Sequence, residues 1–323
     1  MPSTDTKDLG ALVDEWRARV SRMLLERRAR RSVTDPRLTV AVIAYRSNPA
    51  ALRSCLESIQ RACAHAGVSI ERLVADCGGN EPCRELISEL CDTELTLLTD
   101  CTLNEARNAV LAWASANLLM LVDDDGILED DAVAAMLRHF DSSNLVGVRG
   151  RIRFKDNRYL TTLGTHYDRG ERVVDDLLLV EGHMAMRRDC ALRVGGFDED
   201  MFGGEGLVIS YRLLRDNPGT RIVYAPDVVM RHDFYHDVRH FVRKSTAFTN
   251  QHQMLLERYR NEPGFTEFMD AYQRRRHRGA RLTVDEWLVN RGLRLARSAI
   301  RLWTRARGPG RARVGGLASP RRD

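Results

Sequence analysis

Between residues 38 and 125 the chain alternates short apolar runs with stretches of helical spacing. LTVAVIAY (38–45) predicts a buried strand, broken by Asn48-Pro49 before a helix over 50–65. RLVADC (72–77), LTLLTD (95–100) and NLLMLVDDD (117–125) predict three further strands, with helices near 82–91 and 103–116 between them. Strands that are apolar throughout and separated by helices belong to parallel β-α units covered on both faces, so the pattern predicts an α/β, doubly wound sheet. Ligands of such sheets bind beyond the carboxyl ends of the strands. The sequence puts Tyr45, Asp76, Asp100 and Asp123–Asp125 there.

The flanks follow other periods. Leu9, Leu12, Val13, Trp16, Val20, Met23 and Leu24 recur at helical spacing and predict one amphipathic helix over 8–31, packed on the body or, as the alternative, mediating self-association. After 145, VGVRGRIRF predicts a strand that leaves the parallel set, 158–180 a hairpin, 207–216 a helix and RIVYAP (221–226) a short strand. Arg231-His232-Asp233 is expected to open a long helical region. Residues 283–307 predict a second amphipathic helix, and the Gly-, Pro- and Arg-rich remainder is expected to be disordered. The expected divisions are a helical extension (1–35), a main domain (36–240), a C-terminal helical region (241–307) and a basic tail (308–323).

Composition narrows the classes. Of 323 residues 43% are hydrophobic and 29% charged, which suits a large core and excludes wholesale disorder. No apolar run approaches the ~20 residues of a membrane span. The polar start MPSTDTKDLG lacks the features of a secretory signal. Seven cysteines without CxxC spacing are read as reduced thiols of a cytoplasmic protein. The net charge of +5 hides an asymmetry: from Gln273 onward fifteen arginines face three acids, giving +12, so residues 1–272 carry −7. A dehydrogenase is disfavoured because no GxGxxG follows a strand. A nucleotidyltransferase is disfavoured because AYRSNPAALR, after the first strand, has no glycine to cradle a triphosphate.

Asp123-Asp124-Asp125 is the sharpest local signal. Three carboxylates at one strand end need a compensating cation. Hard divalent ions, Mn²⁺ or Mg²⁺, take such oxygen ligands and also bridge diphosphate oxygens. Glu129, Asp130 and Asp131 just beyond are read as charging the next helix N-terminus.

Taken with their order, these segments resemble the family 2 glycosyltransferases, over about residues 38–235. The opening LTVAVIAYRSNPAALRSCLESI is similar to that family's first strand and helix, RLVADCGGN to its VVDDGS segment, and LVDDDG occupies its DxD position. NEARNAV is similar to the segment before its fourth strand, with Asn104, Arg107 and Asn108 matching. MAMRRDCALRVGGFDEDMFGGEGLVISYR is similar to its RR…GGFDE…GGED…SYR stretch, and RIVYAPDVVMRH ends in its later histidine. The resemblance implies a GT-A fold (a Rossmann-like, mostly parallel sheet with helices on both faces) and inverting transfer of a sugar from a nucleotide diphosphate, with uridine the favoured nucleoside. It implies that Tyr45 and Asp76 face the nucleoside, that Asn104, Arg107, Asp123 and Asp124 bind the nucleotide sugar, and that Asp125 holds the metal with His232 as second ligand. His236 and His240 follow at four-residue spacing as alternative ligands.

The pattern departs from the family at the catalytic base, which must take the acceptor hydroxyl proton. Where the family has GGED this chain has Gly203-Gly204-Glu205-Gly206, and the later acid of the stretch is Val208. Glu205 and Asp200 become the candidate bases, with Asp198 nearby; the alternative is a nucleotide-sugar-binding scaffold without turnover. Gln273-Arg274-Arg275-Arg276-His277 is close to the QxxRW of processive synthases but lacks the tryptophan, which favours single-sugar addition to an unknown acceptor. On a helical wheel of 283–307, Leu288, Gly292, Leu295, Ala296, Ala299, Leu302 and Trp303 oppose Arg291, Arg294, Arg297, Arg301 and Arg305. That face suits an anionic membrane surface on the inner side of the cell membrane, or packing on the acidic body. Nucleic acid is disfavoured, since no stacking aromatics interleave the arginines.

Overall fold

The structure, a computed structural model, describes residues 8–306 apart from 143, 162–166, 181, 202, 234, 236, 248–250 and 275–281. Helix α1 (Leu9–Val20) and strand β1 (Leu24–Ala29) precede the parallel units β2 (Leu38–Tyr45), α2 (Pro49–Ala66), β3 (Ile70–Cys77), α3 (Glu81–Leu90), β4 (Thr93–Leu97), α4 (Leu103–Trp113) and β5 (Leu118–Asp123). Local chemistry sets these boundaries. Asn48 accepts from the amides of Ala50 and Ala51 with Pro49 at the first helical position, and Gly67 closes α2 in the left-handed region. Thr102 and Glu105 form a capping box on α4.

The second half adds β6 (Ile127–Leu128), α5 (Ala132–Phe140), β7 (Leu145–Arg153), α6 (Arg158–Thr161), β8 (Val174–Asp175), β9 (His183–Arg187), α7 (Arg188–Arg193), α8 (Glu205–Asp216) and β10 (Arg221–Arg231). Four helices close the described chain: α9 (Val238–Ala247), α10 (Gln251–Tyr259), α11 (Phe265–Arg274) and α12 (Val284–Ala306). The strands form one sheet in the order β1-β4-β3-β2-β5-β9-β7-β10-β6, with β8 on β10. One apolar layer packs α2, α3 and α5 on one face. A second packs α1, α4 and α7 on the other. No helix of the described residues is long and apolar enough to cross a membrane.

Four expectations are corrected. The predicted helix over 8–31 stops at Val20, and Leu24–Ala29 instead pairs antiparallel with β4. An open β4 edge would leave a row of amides and carbonyls without partners, and this segment covers it. Val20 and Met23 still enter the core through the turn, which is why the helical spacing looked continuous. The strand that reverses direction is β9, not β7: β7 runs parallel to β10 and antiparallel to β9. The segment 158–180 makes no hairpin among the described residues, because β8 adds to β10 and Asp176 is held by the fully buried Arg149. Finally, β10 runs through to Arg231 and α9 begins only at Val238, so His232 follows a strand end. The expected tail 308–323 lies outside the described residues.

Candidate functional site

The strand order reverses beside β2, with β3 on one side of it and β5 on the other. Ala44 is level with Asp76 and Ile43 with Asp123, so the two aspartates flank β2 at its carboxyl end. Two strand spacings separate their backbones by about 10 Å. Asp76 is buried, accepts the Gly79 amide at 2.7 Å and lies 3.6 Å from Arg84. Burial raises its pKa against the opposing pull of Gly79 and Arg84. A Cβ on Gly79 would stand 2.6 Å from the Asp76 carboxylate, so this turn needs glycine. Tyr45 is half-buried at the end of β2, with the Arg46 guanidinium 5.6 Å from its ring centroid. Asp100 lies on an exposed turn beyond β4.

At the end of β5 the three acids part company. Asp123 and Asp125 turn toward His232, whose Nε2 is 3.2 Å from Asp125 Oδ1 and 3.6 Å from Asp123 Oδ2. Asp124 turns the other way and accepts a short hydrogen bond from Ser47, on the loop after β2. Burial lifts the Asp124 pKa to about 7 despite that bond, and the charges of Asp125 and Asp123 add to the rise. Burial works against a charged His232, yet the bond to Asp125 and the charges of Asp123 and Asp125 outweigh it, raising its pKa. His232 Nδ1 is buried with no partner. The backbone around it is tied down: the His232 amide donates to Arg153 at 2.9 Å. Asp233 accepts the amides of Lys155, Asp156 and Asn157, and Lys155 Nζ reaches the Asp125 carbonyl at 3.3 Å.

One ligand atom each from Asp123, Asp125 and His232 lies within 4.8 Å of the others. Oxygens and nitrogens at right angles around a small divalent ion stand about 3.0 Å apart, given bonds of about 2.1 Å. The 3.2 Å from His232 to Asp125 is close to that spacing, the 3.6 Å to Asp123 calls for a wider angle, and the mixed carboxylate and imidazole set suits Mn²⁺ or Mg²⁺. Asp123 thereby joins the two residues expected to hold metal. His240 is not in the group: its amide caps onto Asp237 and its ring meets Tyr235 edge-on. His236 lies outside the described residues.

Asn104, Arg107 and Asn108 are buried on α4 and grip the glycine-rich loop before α8. Asn104 Nδ2 donates to the carbonyls of Asp198 and Met201, both at 2.8 Å, and its Oδ1 accepts from Arg107 at 2.7 Å. Asn108 exchanges bonds with the Phe197 backbone at 2.9 Å in each direction. Asn104 and Arg107, implied by the resemblance to bind the nucleotide sugar, hold this loop in the structure, since a buried amide spends its donors on the backbone near it. Glu205 opens α8, buried, 3.7 Å from Arg107. Asp200 is 86% exposed and 3.6 Å from Arg258. Asp198 is held by Tyr259 and Arg258.

Residues 36–254 match the glycosyltransferase-like family 2. The chain belongs to that family. It is a glycosyltransferase, and its mixed sheet is of the GT-A type. Among solved structures it is similar to the mannosyltransferase PcManGT from Pyrobaculum calidifontis in complex with GDP-Man and Mn²⁺, at 16% identity, a TM-score of 0.53 and 92% coverage of both chains. No curated protein sequence matches it.

Sequence reasoning missed several residues that build this glycosyltransferase site: Ser47 under Asp124, Lys155 and Asp233 behind His232, and Gly182, whose carbonyl accepts the Asp123 amide at 2.9 Å. Only the acid next to His232 carried a local signal, the RHD run. The others come together through strand pairing distant in sequence.

Proposed function

We propose that the chain moves one sugar from a nucleotide diphosphate sugar to an acceptor by direct, inverting displacement with a divalent cation. The convergence of Asp123, Asp125 and His232 within 4.8 Å, beyond the end of β5, carries this reading. Mn²⁺ and GDP-Man in the structural neighbour support the metal and the kind of donor; the resemblance of the sequence favours a uridine nucleotide. A bound cation would neutralise the negative charge that grows on the departing diphosphate.

The chain's own residues divide the remaining work. Asp76, two strands away from β5, and Tyr45, on the strand between them, would hold the nucleoside. Asp123, Asp125 and His232 would hold the cation, and Asp124, fixed by Ser47, keeps the acidic turn in place. Glu205 is the better placed base. It is sheltered at the start of α8, whereas Asp200 stands in solvent against Arg258. It would take the acceptor hydroxyl proton as the new bond forms.

The test is a panel of UDP, GDP and dTDP sugars incubated with and without Mn²⁺, following nucleotide release. Slow hydrolysis that needs Mn²⁺ and disappears in Asp125→Ala is expected. Release that ignores both the metal and Asp125→Ala would overturn the metal-assisted mechanism.

A further inference from the structure

Helix α12 has two faces with different surroundings. On one, Leu293 and Ile300 pack against Leu160, Tyr235 and Phe241. Arg297 donates to the Tyr235 hydroxyl at 3.0 Å, and Asn290 is only 3% exposed. That face is how the helix seats on α9 and α6. At 100° per residue, Val284, Leu288, Leu295 and Leu302 fall on one line on the opposite side. They are 77%, 57%, 66% and 68% exposed. The helix is thus seated on the body through one face, while its leucine stripe points away from it.

This is a concentration, not scatter. Eight of the seventeen exposed large apolar side chains among the described residues lie between Leu282 and Trp303. Patches of this kind on a folded protein mark an interaction surface. The charge beside the stripe says which. Arg291 adjoins it, stacked 5.3 Å over the Trp287 ring, and Arg294 follows one turn on. The whole segment from Gln273 carries +12, while the rest of the chain carries −7. A second copy of the helix would set Arg291 against Arg291, and like charges across such a seam repel. An anionic bilayer accepts the leucines among its acyl chains and the arginines among its headgroups.

The first turn of α12 is linked to the metal-ligand cluster through α6 and the loop before it. Arg158 donates to Glu286 in the first turn of α12 at 2.6 Å, and Tyr159 to Asp285 at 3.0 Å. These two acids of α12 are thus occupied. Arg158 directly follows the 155–157 backbone that is bonded to Asp233, the neighbour of His232. Exposed Phe154 stands on the same loop.

We propose that the exposed leucine stripe of α12 docks on an anionic lipid surface and so sets the metal site beside the bilayer. The test uses the full chain, floated with vesicles of phosphatidylcholine alone or mixed with phosphatidylglycerol, at low and high salt, with no substrate or metal present. Binding to the mixed vesicles that weakens with salt is expected. Leu288→Glu with Leu295→Glu should lower partitioning about a hundredfold, at about tenfold per leucine withdrawn from the interface. The milder pair Leu288→Ala and Leu295→Ala should give an intermediate loss with unchanged melting temperature, which separates docking from misfolding. Arg291→Glu should weaken binding and flatten its salt dependence. Absence of binding at low salt, or equal binding by the leucine variants, overturns the proposal. So does a dimer in light scattering that falls to monomer in Leu288→Ala with Leu295→Ala, because a second copy would then own the stripe. Since vesicle binding is read without turnover, its failure and failure of the transfer reading are separate results.

Discussion

Gly182 offers a steric probe of the proposed metal ligands. Its carbonyl accepts the Asp123 amide, and the space where its side chain would go is filled by the Asp123 carboxylate. A Cβ there would lie 1.8 Å from Asp123 Cγ, and 1.9 and 2.1 Å from the two oxygens. Its φ lies outside the left-handed region, so Gly182→Ala adds volume without backbone strain. Ordinary contact begins near 3.4 Å, so the carboxylate must retreat by about 1.6 Å. Metal-to-ligand distances hold within about 0.2 Å, so a shift of that size removes Asp123 from the set of three. Loss of even an outer-shell partner typically costs 10–100-fold in affinity, so an inner ligand should cost about 100-fold or more, or about 2.7 kcal/mol. The assay is calorimetric Mn²⁺ titration with nucleotide present, alongside turnover against Mn²⁺ concentration. Turnover should recover in part at high Mn²⁺, because Asp125 and His232 remain. A Gly182→Ala protein with wild-type Mn²⁺ affinity would refute the assignment of Asp123 as a ligand.

Other outcomes follow from the same structure. His183 is fully buried and burial lowers its pKa to about 4, while Asp124 is raised to about 7. For His183 the stabilising contribution is complete above its unfolded pKa near 6.5 and is lost as pH falls toward 4, about 2 kcal/mol by pH 5. For Asp124 the sign is opposite: stability is present below about 3.8 and lost as pH rises through 7, at most about 4 kcal/mol. The two offset each other in metal-free wild type; in urea unfolding with chelator, Asp124→Asn should be more stable at pH 7 than at pH 5 by about 2 kcal/mol, and His183→Gln more stable at pH 5 than at pH 7 by a similar amount. Trp16→Ala removes a 5% exposed ring and its 3.1 Å bond to the Leu192 carbonyl, so urea unfolding should show a loss of about 3–5 kcal/mol. Glu205→Gln should cut the rate of transfer by at least about 100-fold with donor affinity unchanged, whereas Asp200→Asn should stay within a few-fold of wild type in steady-state kinetics.

The parallel half of the fold is legible because each β-α unit is a local pattern closed by local chemistry. Asn48-Pro49 marks a helix start in the sequence and does so in the structure, where Gly67 and the Thr102-Glu105 box close other helix ends by equally local chemistry. The failures share a different cause. Leu24–Ala29 has the composition of a helix end and becomes a strand because β4, seventy residues later, offers an open edge. The 158–180 segment has strand-like residues, but the buried Arg149–Asp176 pair settles its path. At the site, the sequence marks the acids but not which way they point. Ser47 draws Asp124 away and leaves Asp123 and Asp125 to His232, a division that depends on a loop 77 residues distant.

The loop before α8 explains why the chain can depart from the usual pair of acids there. Val208 sits where the family has the later acid, and its side chain packs with Tyr211, Leu255 and Tyr259 under α10. A carboxylate in that apolar cluster would have to be desolvated, a cost of several kcal/mol unless it is paired. Packing of α10 onto α8 therefore disfavours an acid at 208, and the chain carries valine there. Glu205, one turn earlier, escapes this constraint because Arg107 stands 3.7 Å from it. Arg107 is in turn held by Asn104, which fixes the loop through the Asp198 and Met201 carbonyls. The buried polar groups of α4 thus decide where the Glu205 carboxylate stands, and under the proposed mechanism proton removal from the acceptor would depend on a helix that need not touch it.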